Sequence, residues 1–218
     1  MIEEWRQWLY PLGALPAIAF TARYMIQWLA SEKAKKSVVM PLFWHLSITG
    51  NLLLFFHSLI QMQFHVCAVQ ACNAVIAWRN LDLMYASPKL TFRSVLFLLF
   101  GSLLTVFLMF FLINLFSSTS PVWFRSPLSN GGDINRFWHL LGFLGLVFFN
   151  GRFWVQWWGA ERNQVSYLGV EFWWMSVIGS VLCLLYFAFL GDYVNMVGPI
   201  FGFIPSVRNL MIIRRAEA

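Results

Sequence analysis

Arg23 and Gln27 stand one helical turn apart in an apolar stretch, and Arg152 and Gln156 repeat the pair in a second one. Residues four apart on a helix share a face, so each pair sends a guanidinium and an amide the same way. An arginine inside a membrane span costs at least about 2.5–3.5 kcal/mol on insertion scales. It therefore faces protein, water or a headgroup rather than lipid tails. A guanidinium binds phosphate or pyrophosphate bidentately, which makes Arg23 and Arg152 candidate anion ligands with Gln27 and Gln156 beside them. The alternative is structural: each arginine snorkels, or pairs with its glutamine and helix-end carbonyls. Trp28 and Trp157 follow the glutamines directly. With Trp44 and Trp173 they read as an interfacial aromatic belt, or as a platform for sugar rings. Arg79-Asn80 and Arg208-Asn209 close two further apolar stretches. There a cation is favourable at a helix C-terminus, and a ligand role is the other option. Glu32-Lys33 and Glu161-Arg162 read as solvated helix ends, with Asp82 and Asp192 at span edges.

Other chemistry is not visible. His45, His57, His65 and His139 are scattered, without the spacing of a metal set. No phosphate loop, nucleophile–base set or paired catalytic carboxylate occurs, so no catalytic residue and no cofactor is expected. Cys67, Cys72 and Cys183 lie in apolar segments and read as packing residues.

The elements that carry these residues follow from composition. The chain has 218 residues, 60% hydrophobic and only 11% charged, against about 25% charged in soluble domains. That is too little polar surface for a water-soluble globule, so the chain is expected to be an all-α integral membrane protein. The net charge of +6 lies between apolar runs and orients the chain in a bilayer; nucleic acid is not an expected partner. Spans of roughly 20 residues are predicted near 9–30, 41–62, 65–85, 92–116, 137–159, 171–190 and 193–213. Pro199 and Pro205 interrupt the last. The acidic start of the chain does not resemble a cleavable signal. With the N-terminus outside, ten Lys and Arg fall at cytoplasmic ends and only Arg6, Arg125 and Arg136 outside. The positive-inside rule thus predicts N-out, C-in.

A shift of 129 superposes two segments without a gap. Nine of the 30 positions from Arg23 are identical to those from Arg152, where chance gives roughly two or three. The same shift carries Arg79-Asn80-Leu81 onto Arg208-Asn209-Leu210. Each repeat is three helices, and span 92–116 has no counterpart. The expected plan is 3+1+3: a first repeat over 1–85, a linker helix and external loop over 86–136, and a second repeat over 137–218. The repeats are parallel, as in SWEET transporters, and a seam between them is the default site.

The string Arg23-x-x-x-Gln27-Trp28-x-x-Ser31-Glu32-Lys33-x-x-x-Ser37, then Phe43-Trp44-x-x-Ser47-x-x-Gly50, then Arg79-Asn80-Leu81, resembles the lipid-A-disaccharide synthase N-terminal domain family. This membrane module is distantly similar to PQ-loop and SWEET transporters. The second copy departs at Ala160, Arg162 and Val170. The resemblance implies a place in lipid A biosynthesis in a bacterial inner membrane. It implies membrane lipids and a lipid-linked sugar or lipid A precursor as ligands, and a cytoplasmic glycosyltransferase as a possible partner. A chain stopping at Ala218 has no room for the glycosyltransferase domain itself. Translocating or binding an anionic glycolipid, anchoring a lipid A enzyme without catalysis, and carrying a small solute all remain open.

Overall fold

The computed structural model describes residues 6, 8–117, 122–123, 136–191 and 193–217. Arg125, most of the expected external loop, Asp192 and Ala218 lie outside them. A short 3-10 turn at Tyr10–Gly13 leads into seven α-helices: α1 Ala14–Ala34, α2 Pro41–Ile60, α3 Phe64–Asp82, α4 Phe92–Leu115, α5 Arg136–Asn163, α6 Val170–Leu190 and α7 Tyr193–Glu217. No strand occurs among the described residues. All seven fall within a few residues of the expected segments.

Four helices are long and apolar enough to cross a membrane: α2, α4, α6 and the 196–215 part of α7. The other three are diluted by polar side chains that the fold buries. These include Arg23, Gln27 and Ser31 on α1, Gln70, Asn73, Arg79, Asn80 and Asp82 on α3, and Arg152, Gln156 and Glu161 on α5.

The repeat is visible in local geometry. Helices α1 and α5 both stop on a non-glycine residue in the left-handed region, Lys35 (φ 52°) and Gln164 (φ 51°), and these two positions are 129 apart. Gly50 on α2 lets Phe20 of α1 lie against its backbone; a Cβ there would sit 2.4 Å from the ring. Gly179 on α6 does the same for Phe149 of α5, where a Cβ would sit 2.7 Å from the backbone nitrogen. Both contacts need a residue without a side chain, because a packed interior has no spare volume.

Helix α1 packs on α2 and α7, α2 on α3, α3 on α4 and α5, α5 on α6, and α6 on α7. Six helices therefore form a closed cycle of neighbours, with α4 outside it against α3. Phe97, Phe100, Leu104 and Phe107 leave much of α4 exposed. The main core fills the middle of the cycle with Phe43, Trp44, Phe172 and Trp173, each at most 1% exposed.

Pro199 and Pro205 do not interrupt the last helix as expected, since α7 runs unbroken through both. Side chains bond back to carbonyls around the second proline. Ser206 donates to the Gly202 carbonyl at 2.6 Å, and Asn209 donates to the Pro205 carbonyl at 2.8 Å.

Candidate functional site

The ten candidate residues separate into two layers at the junction between repeats. In the deeper layer, Arg23 is 4% exposed and Arg152 is fully buried. The Arg23 Nη1 donates to Ser47 Oγ at 3.0 Å, and Ser47 in turn donates to the Phe43 carbonyl. Ser176, the equivalent of Ser47, donates to Phe172 but receives nothing from Arg152. All three guanidinium nitrogens of Arg152 are buried without a hydrogen-bond partner, as are the Arg23 Nε, the Tyr24 hydroxyl and the Ser180 Oγ. Neither arginine bonds to the glutamine one turn on.

Aromatic faces take the place of hydrogen bonds. The Arg23 Cζ lies 4.6 Å from the Phe20 ring centroid and 5.1 Å from that of Phe153. The Arg152 Cζ lies 3.9 Å from Phe149 and 5.6 Å from Tyr24. Tyr24 and Phe153 are equivalent in the repeat, so each arginine sits over an aromatic ring of the other copy. Cation–π contacts contribute about 0.5–2 kcal/mol each. Burial of an unpaired ion costs several kcal/mol, so the contacts offset desolvation only in part. Two buried cations with free donors, packed over the same Tyr24 and Phe153 rings, are suited to an anion.

The second layer lies one to two turns further along α1 and α5, and it joins the two repeats. Gln27 and Asn209 exchange amide hydrogen bonds at 3.0 and 3.1 Å. Gln156 and Asn80 do the same at 2.6 and 3.0 Å. Each glutamine also donates to a carbonyl of the connection after its own helix, Val38 and Tyr167 respectively. Trp44 Nε1 donates to Ser166 Oγ at 2.9 Å, and Trp173 Nε1 to Ser37 Oγ at 3.2 Å. Outermost, Arg79 pairs with Glu161 through two bonds of 2.7 and 2.9 Å. Arg208 pairs with Glu32. Trp28 and Trp157 donate to those same two glutamates at 3.0 and 3.1 Å.

Several expectations are corrected here. Trp44 and Trp173 are fully buried, so they are cross-repeat donors and not part of a belt. Glu161 is no solvated end: it is 8% exposed and bonds to Arg79, while Asp82 stands at the end of α3, 7% exposed, on the other side of Arg79. Burial alone would raise the Glu161 carboxyl, but hydrogen bonds from Arg79 and Trp157 and the arginine's charge hold it below the usual carboxylate range. The Glu32 carboxyl is held below its ordinary value, chiefly by its hydrogen bond from Arg208 and then by that from Trp28.

Ser37, Ser166, Glu32 and Glu161 also belong to this junction, although side-chain chemistry alone did not place them there. Their identity under the shift of 129 was the signal that marks them.

The profile of the Lipid A Biosynthesis N-terminal domain matches residues 12–82 and again residues 141–211. The chain belongs to this family. Each match covers most of one three-helix set and leaves α4 between them. A lipid-A-disaccharide synthase of Chlamydia felis is 39% identical over 210 residues, which are 94% of this chain and 33% of that protein. The corresponding protein of Chlamydia pneumoniae is 36% identical over 209 residues, 96% of this chain and 34% of its own length. That of Chlamydia trachomatis serovar D is 35% identical over 95% of this chain and 34% of its own. The chain thus spans about a third of the length of the curated relatives it matches. No solved structure is significantly similar to it. Family membership links the chain to lipid A biosynthesis, and these relatives are bacterial.

Proposed function

We propose that this chain is a multi-pass module of a bacterial inner membrane that binds an anionic lipid-linked sugar or lipid A precursor between its two repeats. On this reading all seven helices span the bilayer in a 3+1+3 plan, N-out and C-in, with repeats over 1–85 and 137–218. Arg23 and Arg152 hold the phosphate. Gln27, Trp28, Arg79, Asn80, Gln156, Trp157, Arg208 and Asn209 close the cytoplasmic end of the seam rather than touch the ligand in this closed form. The observation that carries the reading is the Arg152 guanidinium, fully buried with three unpartnered nitrogens beside a second arginine. A structural lock would satisfy those donors, since buried polar groups are otherwise paired. A ligand phosphate supplies the missing acceptors and charge.

The test is binding of a phosphorylated glucosamine lipid to the purified chain in nanodiscs, with and without Arg23→Ala and Arg152→Ala together. The double variant should remain inserted and lose at least tenfold in affinity. Unchanged binding would defeat the phosphate-clamp assignment.

A second reading is a noncatalytic anchor for a cytoplasmic glycosyltransferase. It is favoured by the matched relatives, which are about three times as long as this chain. An anchor would show no glycolipid binding and would co-purify with the enzyme regardless of the arginines. Translocation of the bound lipid is scored separately, as leaflet exchange in liposomes holding the purified chain. A small-solute carrier would exchange soluble sugar instead.

A further inference from the structure

The two closures related by the repeat are built unequally. Arg79 is 2% exposed and bonds to Glu161, to Asp82 at 2.9 Å and to the Leu90 carbonyl at 2.6 Å. Asp82 also accepts from the Lys89 and Leu90 amides at 2.9 and 3.0 Å. Phe92, at the start of α4, stacks on Trp157 with centroids 5.8 Å apart. The connection from α3 to α4 therefore straps the α3–α5 seam shut. Across the molecule, the Arg208 and Glu32 side chains are each one third exposed. The position equivalent to Asp82 is Met211, exposed, so among the described residues Arg208 has no second carboxylate. The prolines differ in the same sense. Helix α7 carries Pro199 and Pro205, whereas α3 has Gln70 and Ile76 at the equivalent positions.

A buried, multiply bonded ion pair is costly to separate. An exposed one contributes little and is screened by salt. A proline removes an intrahelical bond and localises bending. We propose that the seam between α1 and α7 is the lateral doorway through which a phosphorylated lipid reaches Arg23 and Arg152. Helix α7 swings at Pro199 and Pro205, and the α3–α5 side is the fixed hinge. This rests on the two arginines binding the lipid phosphate.

The full chain in phosphatidylcholine nanodiscs is spin-labelled across the doorway (Lys33→Cys with Arg214→Cys) or across the hinge (Tyr85→Cys with Arg162→Cys), with Cys67, Cys72 and Cys183 changed to Ala. Phosphatidic acid is the probe, and inorganic phosphate is the soluble control. Phosphatidic acid should widen the doorway distance distribution and leave the hinge distribution unchanged. A parallel variant in the native cysteine background carries Glu32→Cys and Arg208→Cys, bridged by a cleavable bis-methanethiosulfonate. Bridging should cost at least tenfold in phosphatidic acid binding, and cleavage should restore it. Widening at the hinge, or full binding by the bridged protein, overturns the doorway while the arginine site stands. Inorganic phosphate producing the same widening overturns lipid entry. Absence of phosphatidic acid binding in the unlabelled chain removes the arginine site and the doorway together.

Discussion

Arg79→Met and Arg208→Met change the same residue of the two repeats, and the structure assigns them unequal consequences. Arg79→Met leaves the carboxylates of Glu161 and Asp82 buried, at 8% and 7% exposure, without the cation that faces both. It also leaves the Leu90 carbonyl without its guanidinium donor. Removing one partner of a buried pair costs about 3–5 kcal/mol. For a chain of this size that corresponds to a fall in Tm of about 6–20 °C, at roughly 2–4 °C per kcal/mol. Arg208→Met frees only Glu32, which water reaches, and its Tm should move by about 2 °C or less. The assay is thermal unfolding of the purified chain in one detergent, followed by tryptophan fluorescence. Adding Glu161→Gln to Arg79→Met should recover part of the loss, because it removes one stranded charge. Equal shifts for the two arginine variants, or an Arg79→Met protein within about 2 °C of the parent, would refute the claim that burial decides the difference.

Three further outcomes follow from other contacts. Gly179→Ala places a Cβ 2.7 Å from the Phe149 nitrogen and should destabilise by about 1–3 kcal/mol. Gly101→Ala on α4 meets nothing within 4 Å and should be neutral or stabilise by up to about 1 kcal/mol; thermal unfolding distinguishes them. Trp44→Phe removes the donor to Ser166, while Ser166 keeps its bond to Asn80. The loss should be about 0.5–1.5 kcal/mol, and a larger one in a denaturant titration would mean that Trp44 packing dominates. The Glu32 carboxyl should titrate below its ordinary 4.5 by carbon NMR. Because the folded value is depressed, its small contribution is complete above the unfolded value and is lost as pH falls below about 4.5. Titration between 4 and 5 would show that the Arg208 contact is absent in solution.

What the sequence by itself determined is the helical inventory and the duplication. Apolar runs of span length bounded by Pro, Gly and charge leave few other structures, and α2 and α4 begin at Pro41 and Phe92, where the composition changes. The shift of 129 marked Arg23, Gln27, Ser37, Trp44 and their counterparts as belonging to one interface. It could not say which residue each would meet. Gln27 shares a helix face with Arg23, yet it reaches Asn209, 182 residues away. Trp44 looked like a belt residue and instead meets Ser166. Only tertiary structure decides such pairings, because a buried polar group is satisfied by whichever donor or acceptor packing brings within about 3 Å. The inequality between Arg79 and Arg208 is of the same kind. The identical Arg-Asn-Leu triplets conceal it, and it arises because the strap before α4 covers one closure and leaves the other to water.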